Sequence, residues 1–252
     1  VNKRPRLSLL QAKLIGSLLA TAVLGTQAAC DPDRNRGDIS KLGAGAVSTT
    51  NTPQKVVASR YVQSTPQMVD QGRASFGACM GCHGERGDGR VGIGPRLDSE
   101  TFLAAASDEF LVNNIKNGRT GTTMIPWGGT YSDAQIESVV AYLRSLRSVE
   151  PATLDESPLQ GTVATGEEIY RTICASCHGR SGGGYQETAN GTGIGRRTFL
   201  EKASNGFIRH IVNDGKKHTA MKGFNKNAPA SVANLTEQEI DSVIAYLRAN
   251  AW

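Results

Sequence analysis

Five consecutive residues, Cys79-Met80-Gly81-Cys82-His83, constrain this chain more than any other stretch, and Cys174-Ala175-Ser176-Cys177-His178 repeats the pattern 95 residues later. Two cysteines three apart on a helix share one face, so both thiols can reach a single flat molecule. The histidine that follows then carries an imidazole to its centre. This is the arrangement that attaches a c-type haem, with two thioethers to the porphyrin and a histidine on iron. The same cysteines would also suit zinc or a redox disulfide. Each Cys2His set, however, lacks a fourth zinc ligand within its own repeat, and no βαβ pattern surrounds either Cys-x-x-Cys.

Composition agrees with two small domains built on a cofactor. The chain has 252 residues, only 6% aromatic side chains and 29 glycines, so two domains of about 90 residues would have thin cores. A buried porphyrin in each supplies the missing apolar centre. The net charge of +5 raises the question of nucleic acid. Residues 1–65 carry nine Lys/Arg against three Asp/Glu, residues 66–150 eight against ten, and residues 151–252 eleven against ten. The basic excess thus belongs to the N-terminal segment, and nucleic acid is not an expected partner. The five cysteines divide as two, two and one, leaving Cys30 over.

Lys3, Arg4 and Arg6 precede an apolar run from Leu14 to Ala29, which ends Gln27-Ala28-Ala29-Cys30. Residues 1–29 therefore read as a signal peptide or membrane anchor. The 16 residues between Lys13 and Cys30 fall short of the ~20 that a spanning helix needs. A retained anchor would have to include Leu7–Gln11 and Lys13. Cys30 after two alanines is similar to a bacterial lipoprotein cleavage site, which makes Cys30 the expected lipidated residue; Gln27 departs from that pattern, where an apolar residue is usual. Lipidation, a retained anchor and a simple cleaved signal with release of a free protein all place the chain outside the cytoplasm, and the first two hold it on the periplasmic side of the bacterial cell membrane, through lipid or an N-terminal helix. Residues 30–65, rich in Asp, Arg, Gly, Ser, Thr, Asn and Pro without a sustained period, read as a flexible tether.

Residues 66–150 form the first expected domain, 151–161 (PATLDESPLQG) a linker, and 162–252 the second. Pro66 to Cys82 reads as one helix, Thr101 to Asn117 as another closed by Gly118, and Ser132 to Arg147 as a third, with Ser132 and Gln135 forming a capping box. Thr101–Met124 aligns without a gap on Thr198–Met221, matching Phe102 with Phe199, Phe110 with Phe207 and Gly118 with Gly215. Ser132–Leu146 matches Thr236–Asn250 at seven of fifteen positions. Similarity of this size marks an internal duplication and provides a two-member alignment within one chain.

With these features on the page, residues 66–252 resemble the class I cytochromes c in a tandem, dihaem arrangement. The resemblance rests on the two attachment motifs, a methionine in a loop after each, and a closing helix. It implies an all-α fold of two domains, each wrapped around one covalently attached haem c. It implies that Cys79, Cys82, Cys174 and Cys177 carry the two haems and that His83 and His178 bind iron. Met124 and Met221 fall at equivalent repeat positions, 41 and 43 residues after their histidines, and are the expected ligands on the opposite faces. His218, three residues before Met221, competes for that role; it aligns with Gly121, which favours Met221. In the family a proline carbonyl orients the proximal imidazole. Pro95 is placed for this in domain one, whereas Gly193-Ile194-Gly195-Arg196 at the comparable point of domain two offers no proline and leaves the acceptor undefined.

A thioether favours Fe(II), raises the reduction potential and keeps oxygen and peroxide off the metal. The resemblance therefore implies an electron carrier, or an electron-transfer subunit of a larger oxidoreductase complex, and not an enzyme. Its expected partners are redox proteins of a respiratory or photosynthetic chain: a quinol-oxidising complex, a terminal oxidase or a reaction centre. The alternative is a dihaem enzyme, such as a peroxidase or a thiosulfate dehydrogenase. Such enzymes need an iron that opens or carries sulfur from cysteine, and neither repeat has a spare cysteine. Residues 196–226 carry eight Lys/Arg against two Asp/Glu, where 99–129 carry two against three; this suggests that domain two docks an acidic partner by electrostatic steering.

Overall fold

The computed structural model describes residues 54–228 and 232–252. Cys30, the segment 1–29 and residues 30–53 of the expected tether lie outside them. Among the described residues no helix is long and apolar enough to cross a membrane.

In chain order, a short strand β1 (Lys55–Val57) precedes α1 (Pro66–Phe76), α2 (Met80–His83), α3 (Glu100–Ala105), α4 (Asp108–Asn117) and α5 (Asp133–Ser145). After β2 (Thr153–Asp155), domain two follows with α6 (Val163–Ile169), a π-helical turn (Tyr170–Cys174), α7 (Ala175–His178), a 3-10 turn (Gly184–Gln186), α8 (Arg197–Leu200), α9 (Asn205–Asp214) and α10 (Glu237–Ala249). The two domains are all-helical; among the described residues one small sheet pairs β1 antiparallel with β2, Val56 opposite Leu154.

Each domain is organised by one helix crossing. α1 begins with Pro66 and is capped by Thr65, whose hydroxyl accepts the Met68 N–H at 3.2 Å. Proline suits this position because its missing N–H would be unpaired there anyway. α5 has the full Ser132/Gln135 capping box, and its stripe Ile136, Val139, Val140 and Leu143 is buried. In domain two Thr236 and Glu239 form the box of α10, and Ile240, Val243, Ile244 and Leu247 repeat the stripe. The crossing helices touch at glycine: a Cβ on Gly72 would overlap the Ser138 carbonyl, and one on Gly166 the Ser242 carbonyl. Close approach there lets Phe76 and Tyr170, both fully buried, pack on Tyr142 and Tyr246 with ring centroids 5.2 Å apart in each domain.

Two expected helices are interrupted. Pro66–Cys82 breaks after Phe76, where the N–H groups of Gly77, Ala78 and Cys79 reach back only three residues. Thr101–Asn117 breaks at Ala106-Ser107, because the Ser107 hydroxyl accepts the Phe110 N–H at 3.0 Å and starts a new helix. The carbonyls left at the end of α3 are taken by Arg144, which donates to Leu103 O and Ala106 O at 2.7 Å each.

Residues 54–65, read from sequence as the end of the tether, run along domain one. The Ala58 N–H donates to Ala152 O at 2.9 Å, Ala58 is buried, and Arg60 donates to Ala106 O at 2.9 Å. The Tyr61 and Val62 N–H groups donate to Asp108 Oδ2 at 2.7 and 2.8 Å. Composition hides this arm because its partners are backbone groups and the distant side chains of Asp108, Asp155 and Ser157.

Candidate functional site

The motif helices α2 and α7 put each pair of thiols on one turn. All four cysteines are free; Cys79, Cys82 and Cys174 are half-buried and Cys177 exposed. Burial, with Cys82 beside it, pushes the Cys79 thiol up to about 11; burial and Cys177 push Cys174 to about 12. Thiols held protonated in this way are poor redox nucleophiles. Among the described residues no three His, Cys, Asp or Glu side chains converge to hold a metal ion, so the thiols and imidazole of a motif do not share one centre.

The imidazoles are oriented from behind. His83 Nδ1 lies 2.9 Å from Pro95 O and His178 Nδ1 lies 2.8 Å from Thr192 O. A carbonyl only accepts, so Nδ1 carries the proton and Nε2 keeps its lone pair for a metal. Burial lowers the His83 pKa, opposed by the Pro95 carbonyl and assisted by Lys216 and Arg119. Burial likewise lowers that of His178, opposed by Thr192. Both effects favour the neutral, ligating form. Thr192 is the acceptor that the sequence left undefined. Counting from the histidine misses it; carrying the constant offset of the Thr101–Met124 alignment back to Pro95 lands on Thr192, because the extra residues of domain two precede Gly191.

The methionine loops are copies of each other. The Arg119 N–H donates to Met124 O at 2.8 Å and the Lys216 N–H to Met221 O at 2.7 Å. The hydroxyls of Thr122 and Thr219 each donate at 2.7 Å, to Arg119 O and Lys216 O, and accept the Met124 and Met221 N–H groups, both at 3.1 Å. Gly118 and Gly215 open the loops at φ of 60° and 74°, a backbone region where a side chain is strained; a Cβ at either would also strike the methionine carbonyl. Met124 and Met221 are both half-buried. His218 stands where domain one has Gly121. Its φ is 63° and its Nε2 lies 3.1 Å from Glu100 Oε2, so the ring is committed to a carboxylate of the other domain.

The donor set therefore fits two thioether attachments, one neutral imidazole and one thioether sulfur per domain. Residues 67–143 match the family model described as cytochrome c oxidase, cbb3-type, subunit III. Residues 163–251 match the model described as cytochrome c. The chain is a c-type cytochrome. Its two cytochrome c domains stand in tandem, one within each match. The cytochrome is 29% identical over 163 residues to the cbb3-type cytochrome c oxidase subunit FixP of Azorhizobium caulinodans, covering 60% of this chain and 52% of that one. It is 25% identical over 184 residues to cytochrome c4 of Thiocapsa roseopersicina, covering 68% and 86%. It is also 25% identical over 236 residues to the cytochrome bc1 complex cytochrome c subunit of Corynebacterium diphtheriae, covering 84% and 76%. The cytochrome thus spans about half the length of that FixP relative.

Both methionine loops of the cytochrome lie at the seam between its domains. Arg119 Nη2 donates to Gly193 O at 2.8 Å, Gln186 to Gly121 O at 2.7 Å and Lys202 to Gly118 O at 2.7 Å. From the other side, Arg96 reaches His218 O at 3.5 Å. Four phenylalanines meet between the loops, with Phe110 and Phe207 4.7 Å apart and Phe102 and Phe207 6.2 Å apart. The basic stretch 196–226 is partly spent here: Arg196, Lys202 and Lys216 turn into the seam, and Arg209 pairs with Asp241 at 2.6 Å. Lys217, Lys222 and Lys226 remain exposed, a smaller basic surface than the sequence suggested for docking a partner. These seam cations carried no motif; only their equivalence in the repeat, Arg119 with Lys216, singles them out.

Proposed function

We propose that the cytochrome is a dihaem electron carrier, with one His/Met-ligated haem c in each domain. Haem iron, when bound, supplies a one-electron Fe(III)/Fe(II) couple. Cys79 and Cys82, and Cys174 and Cys177, fix the two groups covalently. His83 and His178 present a deprotonated Nε2, and the carbonyls of Pro95 and Thr192 hold each ring in place. Met124 and Met221 present a soft sulfur that favours the reduced state and excludes small oxidants. The identical hydrogen bonding of the two methionine loops carries this reading, since chance methionines would not share a loop down to its threonine.

Electrons then pass between the domains and on to redox proteins of a respiratory or photosynthetic chain. A terminal oxidase or a quinol-oxidising complex is favoured over a reaction centre by the names of the relatives. The protein acts on the periplasmic side of the bacterial membrane, attached through its N-terminal segment by a lipid on Cys30 or by a retained helix. The test is a haem count by pyridine haemochrome together with the ferric spectrum of the purified protein. Two haems per chain, both low-spin with methionine charge-transfer absorption that Met124→Ala and Met221→Ala each halve, is the expected result. A high-spin haem, or turnover of peroxide or thiosulfate, would overturn the carrier reading in favour of a dihaem enzyme.

A further inference from the structure

The loops that carry Met124 and Met221 differ at one position in a way that backbone geometry does not ask for. Both turn through a residue of positive φ, Gly121 at 76° in domain one and His218 at 63° in domain two. Glycine takes this conformation freely, whereas a residue with a side chain is strained in it. The rest of the loop is unchanged, with the Lys216 N–H on Met221 O and the Thr219 hydroxyl on Lys216 O, as in domain one. Domain two thus keeps an imidazole three residues before Met221, at a place where glycine would sit without strain. A strained residue so close to a ligand calls for a functional account.

His218 is fastened from domain one. Its Nε2 lies 3.1 Å from Glu100 Oε2 and 3.3 Å from Glu100 Oε1, and its carbonyl accepts Arg96 Nη1 at 3.5 Å. The Lys217 N–H beside it reaches the Thr101 hydroxyl at 3.4 Å. Glu100 and Thr101 both lie in α3, so the loop tip of one domain is held at a helix end of the other. The His218 ring is 49% exposed, so a carboxylate and not packing fixes its direction. Arg147 Nε stands 3.9 Å from the same carboxylate, and Glu100 keeps a cation beside it when the imidazole leaves. A neutral imidazole nitrogen is itself a ligand for haem iron.

Resting on the two-haem reading above, we infer that His218 is a reserve axial ligand for the iron of domain two, held off by Glu100 of domain one and released to displace Met221 when the domains part at this contact. In the exchange the bond from iron to Met221 sulfur breaks and a bond from iron to His218 nitrogen forms, with no change in electron count. The ring binds as neutral imidazole, one nitrogen on iron and the proton on the other; an imidazolium first gives its second proton to solvent. Imidazole in place of a thioether lowers the reduction potential, so domain two holds its electron less tightly once the contact opens. Gly121 gives domain one no such ligand, and the switch belongs to domain two alone.

The experiment uses the full-length holoprotein and reads its ferric absorption and electron paramagnetic resonance spectra together with a redox titration. Met221→Ala is expected to leave both haems low-spin, because His218 takes the vacated position, whereas Met124→Ala is expected to leave one haem high-spin. Adding His218→Gly to Met221→Ala is expected to bring the high-spin signal into domain two as well. Glu100→Ala frees the ring with both methionines in place. It is expected to weaken the methionine charge-transfer absorption by as much as half, keep both haems low-spin and lower one midpoint; adding His218→Gly restores the parent spectrum. The Met221→Ala pair serves the test if Glu100→Ala does not fold. A high-spin haem in Met221→Ala, or a Glu100→Ala spectrum identical to the parent's, would overturn the reserve ligand alone, given two methionine-ligated haems in the parent. Fewer than two haems, or no methionine absorption in the parent, would overturn the reading beneath it as well.

Discussion

Asp108 ties the N-terminal arm of domain one to α5. Its carboxylate is fully buried; Oδ2 accepts the arm N–H groups of Tyr61 and Val62, while Oδ1 accepts Arg144 Nε and Nη2 at 2.9 and 2.7 Å. Asp108→Ala would leave a desolvated guanidinium and two unpaired N–H groups, an expected loss of roughly 3–5 kcal/mol. In domain two Asn205 takes the equivalent place and accepts Arg248 Nε at 3.0 Å. The carboxylate has moved to Asp241, which holds Arg209 and the Gln160 N–H at 2.9 Å. Asn205→Ala is therefore expected to cost only about 1 kcal/mol. Urea midpoints of the two variants check the contrast, and equal losses would refute it. The two Cys-x-x-Cys-His motifs and the two methionine loops stand out in the sequence because spacing and repetition mark them. Asp108 and Asp241 were not, since an aspartate on a helix looks like any other until its distant partners are known.

At the scale of elements, the repeat conceals a length difference that the fold absorbs in one turn. Phe76 and Tyr170 hold equivalent places on the crossing, yet Cys79 follows three residues after the first and Cys174 four after the second. Domain one spans the gap with a tightened turn, Cys79 N–H to Phe76 O at 2.8 Å. Domain two widens instead, with Ala175 N–H bonded to Tyr170 O in a π-turn, the usual way a helix accepts one extra residue. The sequence pattern predicts two long helices where the molecule has broken ones, because periodicity continues across a cap or a bulge. The crossing itself depends on glycine. Gly72→Ala is expected to force α1 off α5 and cost at least about 3 kcal/mol, lowering the haem content of domain one, since overpacking against backbone cannot be relieved by a side-chain shift. Gly81→Ala, in α2 and with nothing near the new methyl, is expected to be neutral or to stabilise by under about 1 kcal/mol. Thermal unfolding and haemochrome yield distinguish the two, and a silent Gly72→Ala would refute the dependence of the crossing on glycine.

Across the whole molecule, the question is whether two domains in tandem behave as independent beads or as one body. Three features argue for one body. The arm and the linker are stitched together by β1 and β2, the methionine loops exchange hydrogen bonds in both directions, and the four-phenylalanine cluster fills the space between them. Such an interface fixes the distance between the two cofactor sites, which a flexible linker would leave to diffusion. The cluster is the part that can be removed without touching a ligand. Phe110 stacks 4.7 Å from Phe207 and meets Phe102 and Phe199 edge-on at 6.3 and 6.5 Å, and it is only half-buried. Its truncation to alanine is expected to cost about 2 kcal/mol, less than the 3–5 typical of a fully buried phenylalanine. The larger effect is expected in cooperativity: the parent melts in one calorimetric transition, and Phe110→Ala separates it into two, with each domain unfolding at its own temperature. A parent protein that already melts in two steps would show that the domains hold themselves apart energetically, whatever contacts they share.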